Sequence, residues 1–364
     1  MPRDTEPARG APSEDEHTPI DVVAVGNALV DVLGSATDED LVRLGLVKGT
    51  MALVDLERSR AIYETMGPTV EASGGSAANT AAGIAALGGQ VAYLGHVADD
   101  GLGRAFIHDI RSIGVHFEPT PTAAAPDRTT GHCLVLVTED AERTMATHLG
   151  VASDFSSADL YEAHLGATQI LYLEGYLWDQ PPAKAAMREA IEMAHAGDAA
   201  VALSLSDPFC VEHHQREFLD LLRGDVDLVF ANDEEIAMLF GVQDLDAALA
   251  AVEETGVLAA ITRGPAGCVV VTAQGSDAVP AAPVERVVDT TGAGDLFAAG
   301  FLYGITHGLS PREAAHLGGL CAAEVISHVG ARPQSDLHEL ATRAGLAGDG
   351  GSARALPAEN VTEA

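Results

Sequence analysis

The feature of this sequence that most constrains its fold is the regular alternation of short β-rich runs and helical segments after residue 150. The β-rich runs lie at 169–173, 201–205, 228–230 and 259–262, and the helical segments lie at 181–196, 211–223, 233–240 and 244–254. Strands that alternate with helices in this way predict a parallel sheet built from crossover units. We therefore expect an α/β fold in which helices cover both faces of a mostly parallel sheet.

Polar residues follow several of the predicted strands at the points where the strands end. Asn27 follows an earlier apolar run at 21–25, Asp207 follows the run at 201–205, and Asn232 follows the run at 228–230. In open parallel sheets, ligands bind beyond the carboxyl ends of the strands. These side chains therefore predict a single active site along one edge of the sheet.

A glycine-rich loop at 289–295, with the sequence DTTGAGD, leads into an apolar segment of good helix formers. Gly292 and Gly294 permit backbone angles that other residues rarely adopt, and they let a ligand approach the main chain. The first amides of a helix are unpaired and carry partial positive charge, which makes the loop a candidate anion site. An anion site does not need the carboxylate of Asp295, and we predict that this group accepts a proton. The alternative is a structural turn in which Asp295 only caps the helix.

The pattern changes between residues 129 and 149. Two β-rich runs, at 132–137 and 143–147, flank a turn at Glu139 and Asp140 and predict a β-hairpin. With extended runs at 29–33 and 51–54, the hairpin is expected to form a small second sheet. We take the strands of this lid from residues 28–60 and 129–149.

The folded domain is expected to span residues 19–345. The polar, acidic segment 1–18 and the Gly-, Ala- and Glu-rich segment 346–364 are expected to be disordered tails, because neither has enough apolar residues to form a core.

Charge and composition argue against several classes of protein. The formal net charge is −34, with 20 basic residues against 54 acidic ones, so no nucleic-acid partner is expected. No apolar run reaches the roughly 18 residues that span a bilayer, so no membrane partner is expected. The four cysteines form no CxxC pair, which argues against zinc and disulfides and favours the cytoplasm. The absence of a GxxxxGK[ST] segment argues against a P-loop kinase.

Two segments together resemble the signatures of the PfkB, or ribokinase-like, carbohydrate kinase family. They are GGSAAN at 74–79 and DTTGAGDLF at 289–297. The resemblance covers roughly residues 20–340, and the segments at 26–32 and 45–51 are most similar to the adenosine-kinase-like branch. It implies a ribokinase-like three-layer α/β domain, with a mostly parallel central sheet plus a small β-sheet lid.

The resemblance also implies roles for individual residues around the acceptor. Asp295 would be the catalytic base, and the amides of Gly292, Ala293 and Gly294 would form an anion hole. The residues implied in substrate binding are Asn27, Asp31, Gly75, Ser76, Asn79 and Arg143. The structural alternatives are a turn for Asp31, a solvent-facing helical residue for Asn79, and a solvated edge-strand arginine for Arg143.

On the donor side, the resemblance implies a nucleotide site and metal ions. The implied nucleotide-binding residues are Asn232, Thr262, Arg263, Gly264 and Gly267. Glu235 would act on Mg²⁺ through water, although its spacing from Asn232 fits a helix capping box equally well. Asp289 and Thr291, with main-chain oxygens near 327–330, would hold a monovalent cation such as K⁺. Alternatively, Asp289 only fixes the loop.

The implied activity is ATP-dependent phosphorylation of the primary hydroxyl of a ribonucleoside, with adenosine preferred. The alternatives are a sugar kinase of the ribokinase or fructokinase type, and a non-catalytic sugar or nucleoside sensor. A nucleoside base needs apolar surface, for which the candidates are Leu33, Leu53, Leu134 and Leu136. The chain is expected to be a monomer or a homodimer formed through the lid, since an exposed small sheet has edges to cover.

Overall fold

The predicted parallel sheet is the centre of the computed structural model, which describes residues 20–140 and 142–347. In chain order the strands are β1 (Ile20–Val25), β2 (Leu29–Ser35), β3 (Met51–Leu53), β4 (Thr69–Gly74), β5 (Val91–Leu94), β6 (Gly131–Val137), β7 (Arg143–His148), β8 (Thr168–Glu174), β9 (Ala200–Ser204), β10 (Leu228–Asn232), β11 (Leu258–Thr262), β12 (Cys268–Thr272) and β13 (Gly275–Val279). The helices are α1 (Asp38–Leu44), α2 (Leu56–Tyr63), α3 (Ser76–Leu87), α4 (Gly101–Ser112), α5 (Glu162–Leu165), α6 (Pro181–Ala196), α7 (Pro208–Gly224), α8 (Asp233–Phe240), α9 (Leu245–Thr255), α10 (Ala293–Thr306), α11 (Pro311–Val325) and α12 (Leu337–Ala344).

The large sheet has eight strands in the order β13-β12-β11-β10-β9-β8-β1-β5. In this spatial order, every neighbouring pair from β11 across to β5 is parallel. Within the large sheet, only the two pairs made by β12 are antiparallel. The carboxyl ends of the parallel strands therefore meet at one edge. That edge carries Asn27 after β1, Asp207 after β9 and Asn232 at the end of β10, as the sequence predicts, and also Glu174 at the end of β8.

Helices cover both faces of this sheet because its strands are apolar on both sides. In β1, Val22 and Ala24 belong to one core, and Val23 and Val25 belong to the other. The first core is closed by α3, α10 and α11, and the second by α6, α7 and α8. The three-layer α/β fold is confirmed.

The second sheet has five strands in the order β3-β7-β6-β2-β4. Strands β6 and β7 form the predicted hairpin, β2 runs parallel to β6, and β3 runs parallel to β7. The predicted smaller sheet is confirmed, and β2 places it directly after the end of β1.

Some elements differ from those predicted. The small-residue run that follows GGSAAN predicts a helix over 80–87, but α3 begins at Ser76, because the chain leaves β4 at Gly75 with a φ of +92°. The sequence after Pro311 predicts a last helix over 311–328, but α11 ends at Val325, so the chain can turn and bring 329–332 back to the glycine-rich loop. The elements α2, β4 and α12 were not predicted, because each is short and only weakly apolar.

The predicted tails lie almost wholly outside the described residues. Of the two, only Leu346 and Ala347 are described, with Leu346 buried and the Tyr303 hydroxyl donating to the Ala347 carbonyl. Among the described helices, none is long and apolar enough to span a bilayer. The domain boundaries, the oligomeric state and the cytoplasmic location stay predictions.

Candidate active site

The glycine-rich loop lies at the carboxyl edge of the large sheet and ends in α10. Gly292 is the N-cap of α10 with a φ of +80°, and a Cβ there would come within 2.8 Å of the Ala331 Cβ. Only glycine satisfies both constraints. The Ala293 amide donates to Thr290 O at 3.2 Å, whereas the Gly294 amide has no partner among the described residues. A Cβ at Gly294 would meet nothing within 4 Å, so the space beside this residue is open.

Asp295 is held by two side chains from the first turn of α3. Ser76 Oγ donates to Asp295 Oδ1 at 2.7 Å, and Asn79 Nδ2 donates to Oδ2 at 2.8 Å. The two signature segments therefore meet at one carboxylate. Burial raises the pKa of Asp295, while the hydrogen bonds from Asn79 and Ser76 and the charge of Arg332 oppose that rise. A carboxylate with a raised pKa is better suited to accept a proton near neutral pH.

The glycines that precede α3 let the chain pass close to the start of β2. A Cβ on Gly74 would lie 2.5 Å from Asp31 Oδ2, and a Cβ on Gly75 would lie 2.3 Å from Asn27 O. Larger residues would push β4 away from both. The double glycine thus brings the predicted acceptor residues Asn27 and Asp31 next to the helix that holds Asp295.

Glu174, at the end of β8, is a site residue that the sequence reasoning missed. It is 1% exposed, and it accepts hydrogen bonds from Asn27 Nδ2 at 3.0 Å, from Asn27 N at 3.3 Å and from Ala77 N at 2.9 Å. Burial raises its pKa to about 7. Its position directly after the apolar run at 169–173 was the available signal. Glu174 fixes Asn27 and the amino end of α3 relative to each other.

Arg332, from the loop after α11, is the second missed residue. Its guanidinium donates to Ala78 O at 2.7 Å and to Ser73 O at 3.2 Å, so it ties the two sides of the Gly74–Gly75 turn together. Burial lowers its pKa to about 10, and it still carries its charge at neutral pH. Its charge also lowers the pKa of both Asp31 and Asp295. No local motif marks this arginine in the sequence.

Asp31 lies on β2 and faces the site without a hydrogen-bond partner among the described residues. Burial raises its pKa to about 6, against the opposing charges of Arg332 and Arg143. The negative charge of Asp295 adds to this rise. A half-buried carboxylate with free acceptor oxygens suits a ligand that brings hydroxyl donors.

The face of the small sheet that carries Asp31 is otherwise mostly apolar. Leu33, Met145 and Met51 also lie on that face. Each is two residues along its strand from Asp31 or from a residue aligned with Asp31 across the sheet, and side chains two residues apart on a strand point to the same side. Met51 and Leu53 are 37% and 52% exposed. Arg143 shares this face and reaches Asp289, so the face points at the glycine-rich loop.

Two of the predicted apolar candidates are wrong. Leu134 and Leu136 lie on the opposite face of the small sheet, where each is 1% exposed in the core. Leu33 and Leu53 lie on the face of Asp31. The run Cys133–Val137 is apolar throughout, so its sequence gives no alternation from which the inward side could be read.

The donor-side residues lie at the ends of neighbouring strands. Asn232 and Thr262 are register partners in β10 and β11, and the chain then turns through Arg263, Gly264 and Gly267. Gly267 has a φ of +85°, and a Cβ there would meet Val279 O at 2.1 Å. The Arg263 Nε is left without a partner among the described residues.

The capping box predicted as the alternative for Asn232 and Glu235 is present. Glu235 Oε1 accepts from Asn232 Nδ2 at 2.7 Å, Oε2 accepts from Asn232 N at 2.9 Å, and Asn232 Oδ1 accepts from Glu235 N at 2.8 Å. Burial raises the pKa of Glu235 to about 7, and the charge of Asp207 adds to this rise. A cation bound here would relieve the repulsion between the carboxylates of Glu235 and Asp207. Glu235 can therefore cap α8 and also act near a metal ion.

Arg143 and Asp289 form an ion pair between the small sheet and the glycine-rich loop, with both side chains largely buried. Arg143 was predicted to contact substrate, and Asp289 with Thr291 to hold a cation. In the structure the Arg143 guanidinium pairs with the Asp289 carboxylate, and the Thr291 amide donates to the same carboxylate at 3.0 Å.

Comparison with known proteins relates the whole folded region to one group of enzymes. The model of the pfkB family carbohydrate kinases matches residues 40–337. The chain is 30% identical over 335 residues to adenosine kinase of Saccharomyces cerevisiae, covering 85% of this chain and 95% of the yeast protein.

Solved structures agree with this relationship. Adenosine kinase from Sinorhizobium meliloti superposes with a TM-score of 0.85 at 47% identity, covering 90% of this chain and 100% of that one. A probable sugar kinase from Rhizobium etli superposes with a TM-score of 0.86 at 44% identity, covering 90% and 99%. The similar proteins therefore include both nucleoside and sugar kinases.

Proposed function

The chain belongs to the pfkB family of carbohydrate kinases, and we propose that it transfers the γ-phosphoryl group of ATP to the primary hydroxyl of a ribonucleoside, adenosine first. The observation that carries this proposal is the placement of the Asp295 carboxylate beside the unpaired amide of Gly294, on the side of the site that also contains Asp31. A proton acceptor (Asp295), an amide that can bind an anion (Gly294) and a carboxylate that can bind hydroxyls of the substrate (Asp31) thus lie in one part of the molecule.

The chemistry follows from these groups. The acceptor oxygen forms a bond to the γ-phosphorus, the bond from that phosphorus to the bridging oxygen breaks, and ADP leaves. The acceptor proton passes to Asp295. The amides of the loop stabilise the charge on the transferred group, which is where most of the catalytic effect of phosphoryl transfer arises.

The face of the small sheet supports a nucleoside rather than a free sugar as acceptor. Met51 and Leu53 expose apolar surface that a nucleobase would cover, and Asp31 lies on the same face. A carboxylate that accepts hydrogen bonds from a ribose diol would orient the primary hydroxyl toward Asp295. The Rhizobium etli structure keeps a sugar as the second candidate acceptor.

The residues near Asn232 fit a magnesium nucleotide. Among the described residues, no cluster of three or more His, Cys, Asp or Glu side chains forms a metal site. Mg²⁺ usually keeps several waters and takes few protein ligands, so Glu235 acting through water is sufficient. The ion would neutralise charge on the phosphates when bound. Arg263, Thr262 and the glycines 264 and 267 would lie beside the nucleotide.

A panel of acceptors tests the proposal. We expect ADP release with adenosine and Mg²⁺-ATP to exceed that with ribose, fructose or pyrimidine nucleosides, measured by a coupled assay at matched concentrations. If adenosine were inactive while a sugar was phosphorylated, the protein would be assigned to the sugar kinases.

A matched pair of variants refines the test. Leu53→Asn should raise KM for adenosine, whereas Val42→Asn, which changes a 79% exposed residue of α1, should not.

Arg332 offers a prediction about pH. Its charge lowers the pKa of Asp31 and Asp295, so Arg332→Met should raise both. The two groups then become protonated at higher pH, and the acid limb of the kcat/KM profile should move to higher pH. Relative to the wild type, Arg332→Met should lose more kcat/KM at pH 6 than at pH 8.

Arg332→Lys, which keeps the charge, should leave the acid limb near its original place. The control is Arg111→Met, because Arg111 donates to Phe117 O at 2.7 Å in another part of the fold. A uniform loss of activity at every pH in Arg332→Met would show that the residue acts only through structure.

A further inference from the structure

The surroundings of Asp289 do not fit the monovalent cation that the family resemblance implies. Its Oδ1 accepts from Thr291 N at 3.0 Å, and its Oδ2 accepts from Gly330 N at 2.7 Å and pairs with the Arg143 guanidinium. Both oxygens therefore already face hydrogen-bond donors. A cation bound to this carboxylate would lie against a guanidinium in a largely buried position, where like charges repel strongly.

Of the main-chain oxygens predicted at 327–330, that of Val329 already accepts a hydrogen bond, as does that of Ile326 just before this range. Val329 O accepts from Gln334 Nε2 at 3.3 Å, and Ile326 O accepts from Val288 N at 2.8 Å. Carbonyls that already accept a hydrogen bond have less capacity to replace the water shell of an ion.

We propose that Arg143 supplies the positive charge that a monovalent cation would otherwise supply, so that phosphoryl transfer by this protein is independent of K⁺. The ion pair joins β7 to the start of the glycine-rich loop. Through Asp289 it also reaches Gly330, whose neighbour Ala331 packs against Gly292. Arg143 is thus a positioning residue for the anion-hole amides.

A charge fixed on the small sheet differs from a diffusible ion in one respect. An ion would organise the loop wherever the small sheet lies, whereas Arg143 organises it only while β7 lies against the loop. Completion of the anion hole is therefore coupled to coverage of the site by the small sheet. Such coupling would reduce the exposure of a fully assembled site to water when no acceptor is bound.

The inference rests on the proposed kinase function, and its first test is the cation dependence of the wild type. At constant ionic strength, kcat should be the same in K⁺, Na⁺ and tetramethylammonium salts. Arg143→Ala should lower kcat by about 10²-fold, the effect of a small displacement of catalytic groups. Added K⁺ or guanidinium should restore part of the kcat that Arg143→Ala loses. Arg128→Ala removes an exposed pair with Asp154 and should change neither property.

A double-mutant cycle separates positioning from direct contact with phosphate. If Arg143 acts through Asp289, the double variant Arg143→Ala/Asp289→Asn should be little worse than either single variant. Multiplicative losses, or activation of the wild type by K⁺ over tetramethylammonium, would overturn the proposal.

A readout independent of activity distinguishes failure of this inference from failure of the proposed function. K⁺ should not raise the Tm of the wild type above its value in tetramethylammonium, whereas it should raise the Tm of Arg143→Ala, because an ion bound only to the folded state stabilises it. A wild type that phosphorylates no acceptor but shows this pattern would refute the kinase assignment alone. A K⁺-specific rise in the wild-type Tm would refute the inference alone, and it needs no variant to fold.

Discussion

Asp295→Asn should lower kcat by about 10²–10⁴-fold, the usual contribution of a general base, while nucleotide affinity stays unchanged. Asparagine has the same shape, and its amide can keep both neighbours. Its oxygen would accept from Asn79 Nδ2, and its NH₂ would donate to Ser76 Oγ, so the network around the site is preserved. The change therefore removes the proton acceptor and little else.

The measurement is steady-state ADP release together with calorimetric titration of the nucleotide. The matched control is Asp244→Asn, which changes the N-cap of α9, where Asp244 Oδ1 accepts from Ala247 N at 2.9 Å. Asparagine caps helices as well as aspartate does, so this variant should behave like the wild type. If Asp295→Asn also kept full turnover, Asp295 would be only a helix-terminal residue, as the structural alternative holds.

The parts of the site that could be predicted are those whose function requires a local backbone conformation. The loop at 289–295 and the Gly74–Gly75 turn need glycine for a positive φ and for close approach, so their pattern is visible in the sequence. The strand ends that carry Asn27 and Asn232 follow from the alternation of strands and helices.

The residues that were missed act at long range. Arg332 reaches Ala78 and Ser73 from a loop more than 250 positions away in the chain, and a single arginine in an irregular segment has no periodicity to mark it. Glu174 is a lone carboxylate after an apolar run, and only the fold shows that three donors converge on it. The wrong face for Leu134 and Leu136 has a different cause, since an apolar strand of uniform composition does not specify which side faces a ligand.

The second large effect is expected at Asp31, where activity and stability should change in opposite directions. Asp31→Asn should lower kcat/KM for adenosine by about 10²–10³-fold, because a carboxylate that accepts two hydroxyl protons is replaced by a neutral group that accepts fewer. The same variant should be more stable than the wild type at pH 7–8. Burial raises the pKa of Asp31 from 3.8 to about 6, which means that the folded state disfavours its charged form.

The sign of the pH dependence follows from that shift. A carboxyl whose folded-state pKa is raised contributes stability below its unfolded pKa, and this contribution is lost as pH rises through the folded pKa near 6. At pH 7–8 the variant should therefore gain about 1 kcal/mol in the free energy of unfolding, after allowance for solvent screening of a half-buried group. The gain should shrink as pH falls toward 4.

Adenosine analogues make the assignment specific. The wild type should discriminate strongly against 2′-deoxyadenosine, whereas Asp31→Asn should discriminate little, because the partner of the missing hydroxyl is already absent. Glu71→Gln, an exposed change on β4, is the control and should alter neither discrimination nor unfolding. If Asp31→Asn lost activity equally toward both nucleosides, the carboxylate would serve the fold of the site rather than the ribose. A loss of stability at pH 8 would show that the charge of Asp31 is needed by Arg332 and Arg143.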